Sequence, residues 1–367
     1  MAKLSQLTIK GYKSIRDLEG FKLTDLNILI GANGSGKSNF ISIFKLLETI
    51  YQKKLQEYVI DHDGPDALLY YGRKVTKKIN MEFYFDVNGY EFTLQPTLAN
   101  KIKISNETLH FTGYINPYDG QFRCPSRHLI QDVGNESKLK ESTDQYAQYI
   151  KPAIESWRIY HFHDTSDTAS VKQIHSMSDN LRLKPDAANL AAFLNKLKQR
   201  YSKNYSLIVK TIRLVAPFFD DFVFREGEES IQLEWNEVGN PDTPFKAHVL
   251  SDGTLRFICL ATLLLQPKVL MADTILIDEP ELGLHPYALS ILADLIKVTS
   301  EQTQLIVSTQ SVELINHFSP NDIIVVDRVN NASTFRRLDE TELQDWLEDY
   351  NLGDLWKQNI IGGRPSR

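Results

Sequence analysis

The sequence predicts an α/β fold: a mixed sheet, an antiparallel side layer, and a helical lobe enlarged by an irregular insertion. Three observations lead there. Apolar strands alternate with helical stretches over the last third of the chain, which implies a largely parallel sheet. A glycine-rich loop follows an apolar strand near the start, and residues 79–87 and 90–94 read as a hairpin.

Taken in order, Leu4, Leu7 and Ile9 alternate with polar neighbours, a turn is expected at Gly11, and strand 25–30 runs into the glycine-rich loop. Residues 40–55 contain no turn residue and predict a helix. Asn88-Gly89 is a strong two-residue hairpin signal, and 101–104 should join the same antiparallel layer. From 116 to 185, Pro, Gly, Ser, Asp and His predominate without periodicity, which marks the insertion. Helical spacing returns at 187–194 and 205–219, before strands at 222–224 and 231–235. A helix after Ser251, strand 274–277, a helix from Pro286, and strands 304–307 and 322–326 complete the pattern. No internal repeat and no heptad run long enough for a coiled-coil arm is present.

A chain of 367 residues, 42% of them hydrophobic, can bury a sizeable core. Its formal net charge of -6 and pI near 5.9 deny it the overall basic field of a non-specific nucleic-acid binder, so any DNA contact needs a local patch. Cys124 and Cys259 lie far apart, and Cys259 sits in the apolar run Phe257-Ile258-Cys259-Leu260, as a buried hydrophobe would. That usage points to a reducing cytoplasm and no zinc site. The start lacks an apolar signal core, and the most apolar stretch, 257–277, is broken by Gln266, Pro267, Lys268 and Asp273, so no membrane span is expected.

Gly31-Ala32-Asn33-Gly34-Ser35-Gly36-Lys37-Ser38 fits the phosphate-loop pattern completely, after a strand and before a helix. Glycines let backbone N–H groups converge on phosphates, and the helix N-terminus adds partial positive charge. Lys37 is expected at the β- and γ-phosphates and the Ser38 hydroxyl at a magnesium position, with Asn33, Gly34, Ser35, Gly36 and Asn39 completing the contacts to ATP. Thr274-Ile275-Leu276-Ile277-Asp278-Glu279-Pro280 reads as a buried strand ending in two carboxylates. Asp278 is the candidate Mg2+ ligand and Glu279 the candidate general base toward the attacking water. Such a pair can also cap the next helix; beside a phosphate loop, the catalytic reading is preferred. The segments divide into a first nucleotide-binding half (1–118), a helical insertion lobe (119–267), a second nucleotide-binding half (268–340) and a C-terminal tail helix (341–367).

The stretch from Lys37 to Asp278 is far longer than a compact nucleotide-binding core needs, and near its end stands Leu250-Ser251-Asp252-Gly253-Thr254. This resembles the Leu-Ser-Gly-Gly-Gln signature of ATP-binding-cassette proteins. The resemblance implies an ABC-ATPase-like head in which Ser251 and Gly253 of one subunit cover the γ-phosphate held by another; a plain helix cap is the alternative. Glu281-Leu282-Gly283-Leu284-His285-Pro286 resembles the loop of RecF-like, SMC-like and OLD-like ATPases, and argues against a transporter. Gln310 stands where that family usually places a switch histidine; it can hydrogen-bond but carries no proton that titrates near neutral pH. Gly11-Tyr12-Lys13-Ser14-Ile15 resembles the family's first strand, which makes Lys13 a candidate nucleotide contact, with a solvated lysine as the alternative. The middle is similar, more loosely, to stand-alone bacterial predicted ATPases of this branch, and no segment matches the Toprim nuclease of OLD-like proteins.

His161-Phe162-His163-Asp164 invites a metal reading, yet only His175 is near in sequence, so an ordered loop is preferred. Arg73, Lys74, Lys77 and Lys78, with Lys196, Lys198, Arg200 and Lys203, offer a DNA track or two solvated faces. The resemblance implies Mg-dependent ATP hydrolysis by a homodimer of heads. Three roles follow from it: regulation of a separately encoded effector in genome defence, RecF-like DNA repair, and, least favoured, a transporter energy subunit.

Overall fold

The computed structural model describes residues 3–115, 122–131, 134–225 and 227–364. The opening of the expected insertion, 116–121, lies outside the described residues. In chain order the principal elements are β1 (Leu4–Tyr12), β2 (Ile15–Lys22), β3 (Leu26–Ile30), α1 (Lys37–Tyr51), β4 (Ile79–Phe85), β5 (Asn88–Pro96), β6 (Ile102–Phe111), β7 (Ser126–Leu129) and α2 (Ala147–Glu155). Then come α3 (Leu190–Arg200), α4 (Ser202–Val215), β8 (Phe219–Val223), β9 (Glu234–Glu237), β10 (Asn240–Lys246), α5 (Asp252–Leu265), β11 (Thr274–Asp278), α6 (Pro286–Ser300), β12 (Gln304–Thr309), β13 (Ile323–Val329) and β14 (Ala332–Arg337). Among the described residues, no helix is long and apolar enough to cross a membrane.

Two compact units result. One comprises Met1–Trp157, Pro320–Trp346 and Leu355–Arg367; the other comprises Arg158–Ser319 and Leu347–Asp354. The first holds an antiparallel sheet in the order β2-β1-β4-β5-β6-β7. Ile79, Met81, Phe83 and Phe85 alternate with less buried neighbours along β4, so one face of that strand meets the core. Phe44 of α1, Phe83, Phe85 and Trp157 gather there, the Trp157 ring lying 5.0 to 6.3 Å from the other three. All five residues of β3 are buried, and β3 runs parallel to β13, which returns antiparallel as β14.

The second unit holds the parallel pair β11 and β12, in register from Thr274 opposite Gln304 to Asp278 opposite Ser308. A three-stranded antiparallel sheet orders β8-β9-β10. Helix α5 is buried from Leu255 to Leu264 and packs against α4 and α6, which explains its apolar character on all sides.

Three sequence expectations are corrected. The turn at Gly11 falls instead at Lys13 and Ser14, and β2, which charged Arg16, Asp17 and Glu19 conceal, follows directly. Gly11 is required because a Cβ there would lie 2.7 Å from the Lys78 carbonyl oxygen. The hairpin turns at Asp86 and Val87, with Phe85 opposite Asn88 and Tyr84 opposite Gly89. That register leaves the Tyr84 ring the space above Gly89 and sets Ile79 opposite Leu94; a turn at Asn88-Gly89 would have set Ile79 against Leu98, which is fully exposed. The insertion is not wholly irregular either. It carries β7, α2 and a strand at Trp157–Tyr160, short elements of which α2 has Pro152 within it.

Trp157→Ala empties the centre of the aromatic cluster and should lower the free energy of unfolding by about 3 to 5 kcal/mol, read by urea denaturation.

Candidate functional site

The phosphate loop lies in the first unit. β3 delivers the chain to Gly31, and α1 begins at Lys37. Gly34 and Gly36 adopt φ of 77° and 121°, in the region that favours glycine. A Cβ on Gly31 would stand 2.3 Å from the Val326 carbonyl oxygen, so the loop is pressed against β13. Lys37 is buried, and its Nζ donates to the carbonyl oxygens of Gly31 at 2.6 Å and Ala32 at 3.2 Å. The ammonium is therefore held over the loop that it would serve. Asn33, Gly34 and Ser38 are exposed, Ser35 and Gly36 are buried, and Asn39 Nδ2 donates to Ser14 Oγ at 2.7 Å.

Lys13, at the β1–β2 turn, is half-buried. Its Nζ donates to Ser42 Oγ of α1 at 3.2 Å and lies 5.4 Å from the Tyr12 ring, and burial lowers its pKa. It is thus not an ordinary solvated lysine.

The acidic pair and the signature lie in the second unit. Asp278 ends β11, and one of its oxygens, Oδ1, is buried without a hydrogen-bond partner. Such a lone acceptor fits a divalent cation or a water bound to one. Glu279 has φ 45°, sparsely populated for a residue other than glycine, and its N–H donates to the Ser308 carbonyl at 2.8 Å. The side-chain amide of Gln310 donates to Glu279 Oε1, and the Gln310 backbone N–H donates to Glu281 Oε1 at 2.7 Å. Gln310 thereby holds both glutamates. Burial pushes the Glu281 carboxyl above its ordinary pKa.

Ser251 caps α5, its Oγ accepting from the Thr254 N–H at 3.2 Å. A Cβ on Gly253 would lie 2.2 Å from the Gly283 carbonyl oxygen, so the start of α5 and the 281–286 loop meet backbone to backbone. Arg256, one helical turn further on, is buried. Its guanidinium donates to the carbonyl oxygens of Phe162 at 2.8 Å, His163 at 3.1 Å, and Leu282. His163 Nε2 in turn lies 2.8 Å from the Asp278 carbonyl oxygen. Arg256 and Glu281 were not singled out as site residues from sequence. The signal for Arg256 was a lone charge in the apolar run 255–265, which needs buried partners.

Half of the side chains in the two basic clusters, Arg73, Lys77, Lys196 and Lys198, are engaged within the chain. Arg73 Nε holds both carboxylate oxygens of Asp66 at 3.0 Å, Lys198 pairs with Asp221 at 3.0 Å, and Lys196 donates to the carbonyls of Asn180 and Leu181.

A family model described as "AAA domain, putative AbiEii toxin, Type IV TA system" matches residues 26–316, which include the phosphate loop, the signature, the acidic pair and Gln310. The chain belongs to this family. Among solved structures this AAA-family chain is similar to an Smc head bound to the C-winged helix domain of ScpA, with a TM-score of 0.60 and 16% identity over 93% of this chain and 99% of the other. It is also similar to a Pyrococcus furiosus Smc head bound to the C-terminal domain of ScpA, with a TM-score of 0.58 and 16% identity over 95% and 99%. These likenesses show the fold, the ABC-type ATPase head. The chain is 26% identical over 239 residues to structural maintenance of chromosomes protein 3 of Arabidopsis thaliana, a match covering 57% of this chain. It spans about a fifth of that relative's length (19%). The protein is thus an AAA-domain protein with an Smc-head fold.

Two variants probe this unit. Arg256→Met leaves three carbonyls without their donor and should cost about 2 to 4 kcal/mol of stability, seen as a lower Tm, with Arg256→Lys restoring little because one ammonium cannot span all three. Because the folded pKa of Glu281 is raised, its contribution to stability is fully present only below the ordinary carboxylate range and is lost as pH rises through the folded value. Glu281→Gln should therefore match or exceed the parent Tm at pH 7, and this advantage should disappear as the pH is lowered below the carboxylate range in a pH series of melts.

Proposed function

We propose that the chain binds Mg·ATP and hydrolyses it to ADP and phosphate in a head-to-head homodimer, and that the dimer acts as a switch on a separately encoded effector. The observation that carries this reading is the phosphate loop: buried Lys37 held over it, Gly34 and Gly36 in glycine-favouring conformations, and a helix starting at its end. Its N–H groups and Lys37 would neutralise the β- and γ-phosphates, and Asn33, Ser38 and Asn39 would complete the contacts. The Ser38 hydroxyl and Asp278 are the groups that would hold Mg2+, whose charge offsets that of the phosphates when bound.

Glu279 takes the proton of the attacking water as general base. Gln310 positions that carboxylate through its amide and, unlike a histidine, does so without titrating near neutral pH. Lys13 is proposed as a further phosphate contact from the β1–β2 turn. Ser251 and Gly253 are proposed to face the γ-phosphate held by the second copy: the cap leaves the start of α5 with its positive dipole end and an exposed serine.

The effector reading draws on two comparisons. The family description names a toxin of a type IV toxin–antitoxin system, and the Smc heads are solved bound to another protein, ScpA. Both favour a head that works with a separately encoded protein, and genome defence is the setting we propose. DNA repair is the weaker reading, because the chain carries a net charge of -6 and half of the basic side chains that might track DNA are paired with acids or carbonyls of their own chain.

The test uses Glu279→Gln with Mg·ATP and measures mass in solution. Trapping of the closed state should double the mass, and adding Ser251→Arg should return it to the monomer. A mass unchanged by ATP, in a protein that still hydrolyses it, would refute the shared site.

A further inference from the structure

The first unit contains a chain of polar side chains behind the phosphate loop, one member of which, Ser333, no sequence motif includes. Ser333, on β14, is buried, and its Oγ lies against the Ser35 carbonyl oxygen and 2.7 Å from Ser14 Oγ. Ser14 Oγ also accepts from Asn39 Nδ2 at 2.7 Å, and the Ser333 N–H donates to the Ser14 carbonyl at 2.8 Å.

Ser333 Oγ is the donor to both the Ser35 carbonyl oxygen and Ser14 Oγ, sharing its one proton between them, while Asn39 Nδ2 donates to Ser14 Oγ. Ser14 Oγ thus accepts from both sides and fixes the rotamer that sets the Ser333 hydroxyl against the Ser35 carbonyl.

The consequence falls on the cradle. In a trans peptide the C=O and the next N–H point in opposite directions, so pinning the Ser35 carbonyl toward Ser333 aims the Gly36 N–H away from it. Gly36 must also be glycine for this arrangement: a Cβ there would lie 2.1 Å from Ser333 Oγ. From this geometry we infer that Ser333, through Ser14 and Asn39, is a positioning residue for the phosphate loop, presetting the Gly36 N–H for a nucleotide phosphate and coupling it to the first turn of α1. The inference rests on the ATP-binding reading above.

Calorimetric titration with Mg·ATP, together with steady-state ATP hydrolysis, tests it. Ser333→Ala should weaken ATP binding and raise KM about tenfold, the loss of one aligned charge-assisted contact, while kcat stays within about twofold. Ser14→Ala, two links from Gly36 and without the tight contact that Ser333 makes, should weaken binding in the same direction and supplies the test if Ser333→Ala does not fold. The double variant Ser14→Ala/Ser333→Ala should be no worse than Ser333→Ala alone, because links in series do not add. Unchanged ATP affinity in either single variant, or additive losses in the double, would overturn the relay while leaving the ATPase reading intact. A parent protein that neither binds nor hydrolyses ATP would remove both.

Discussion

The close approach of backbone to backbone around the phosphate loop constrains the first unit. Gly31 lies against the Val326 carbonyl of β13 and Gly36 against Ser333 of β14. A side chain at either position would push the loop away from the strands that support it. The loop consequently presents its amides from a fixed platform, which matters because a phosphate is held by converging dipoles whose directions must be set before the ligand arrives. Buried β3, bonded in parallel to β13, carries that platform into the core.

The second unit solves a different problem: it keeps carboxylates close together without losing the fold. Asp278, Glu279 and Glu281 lie within four residues, and mutual repulsion and desolvation both oppose that. Gln310 offers two neutral donors, one from its side chain and one from its backbone, to two of the three. Glu279 accepts a left-handed backbone conformation as part of the same arrangement. Arg256 then ties the signature helix to the loop carrying His163 and to the loop after the acidic pair. Gly253 permits those backbones to touch. Signature, acidic strand and His163 loop therefore form one mechanically connected region.

The sequence was read most securely where a local pattern and its structural cause coincide. Helix α5 and strands β11 and β12 are such cases, because long apolar runs between turn residues leave few alternatives. The hairpin was misplaced because Asn88-Gly89 satisfies a local turn rule, whereas Tyr84 packing over Gly89 and the pairing of Ile79 with Leu94 decide the register. β2 and α2 were missed because their apolar positions are few and interrupted by charge or proline. Arg256 carries a visible signal, a lone charge in an apolar run, whereas Ser333 carries none: an ordinary serine on an edge strand, far in sequence from the loop that it touches.

By itself, the sequence determined the α/β class and the SMC-like branch, and it displays the glycine-rich loop with Lys37 and Ser38 and the adjacent carboxylates Asp278 and Glu279. Each is written in neighbouring residues, so chemistry and spacing are read together. Only the tertiary structure decided that Gln310 holds Glu279, that Arg256 binds three carbonyls, and that Asn39, Ser14 and Ser333 order the Ser35 peptide. Those contacts join residues distant along the chain, and hydrogen bonds of that kind have no periodicity or motif. Their existence depends on how strands and loops pack, which no local pattern specifies.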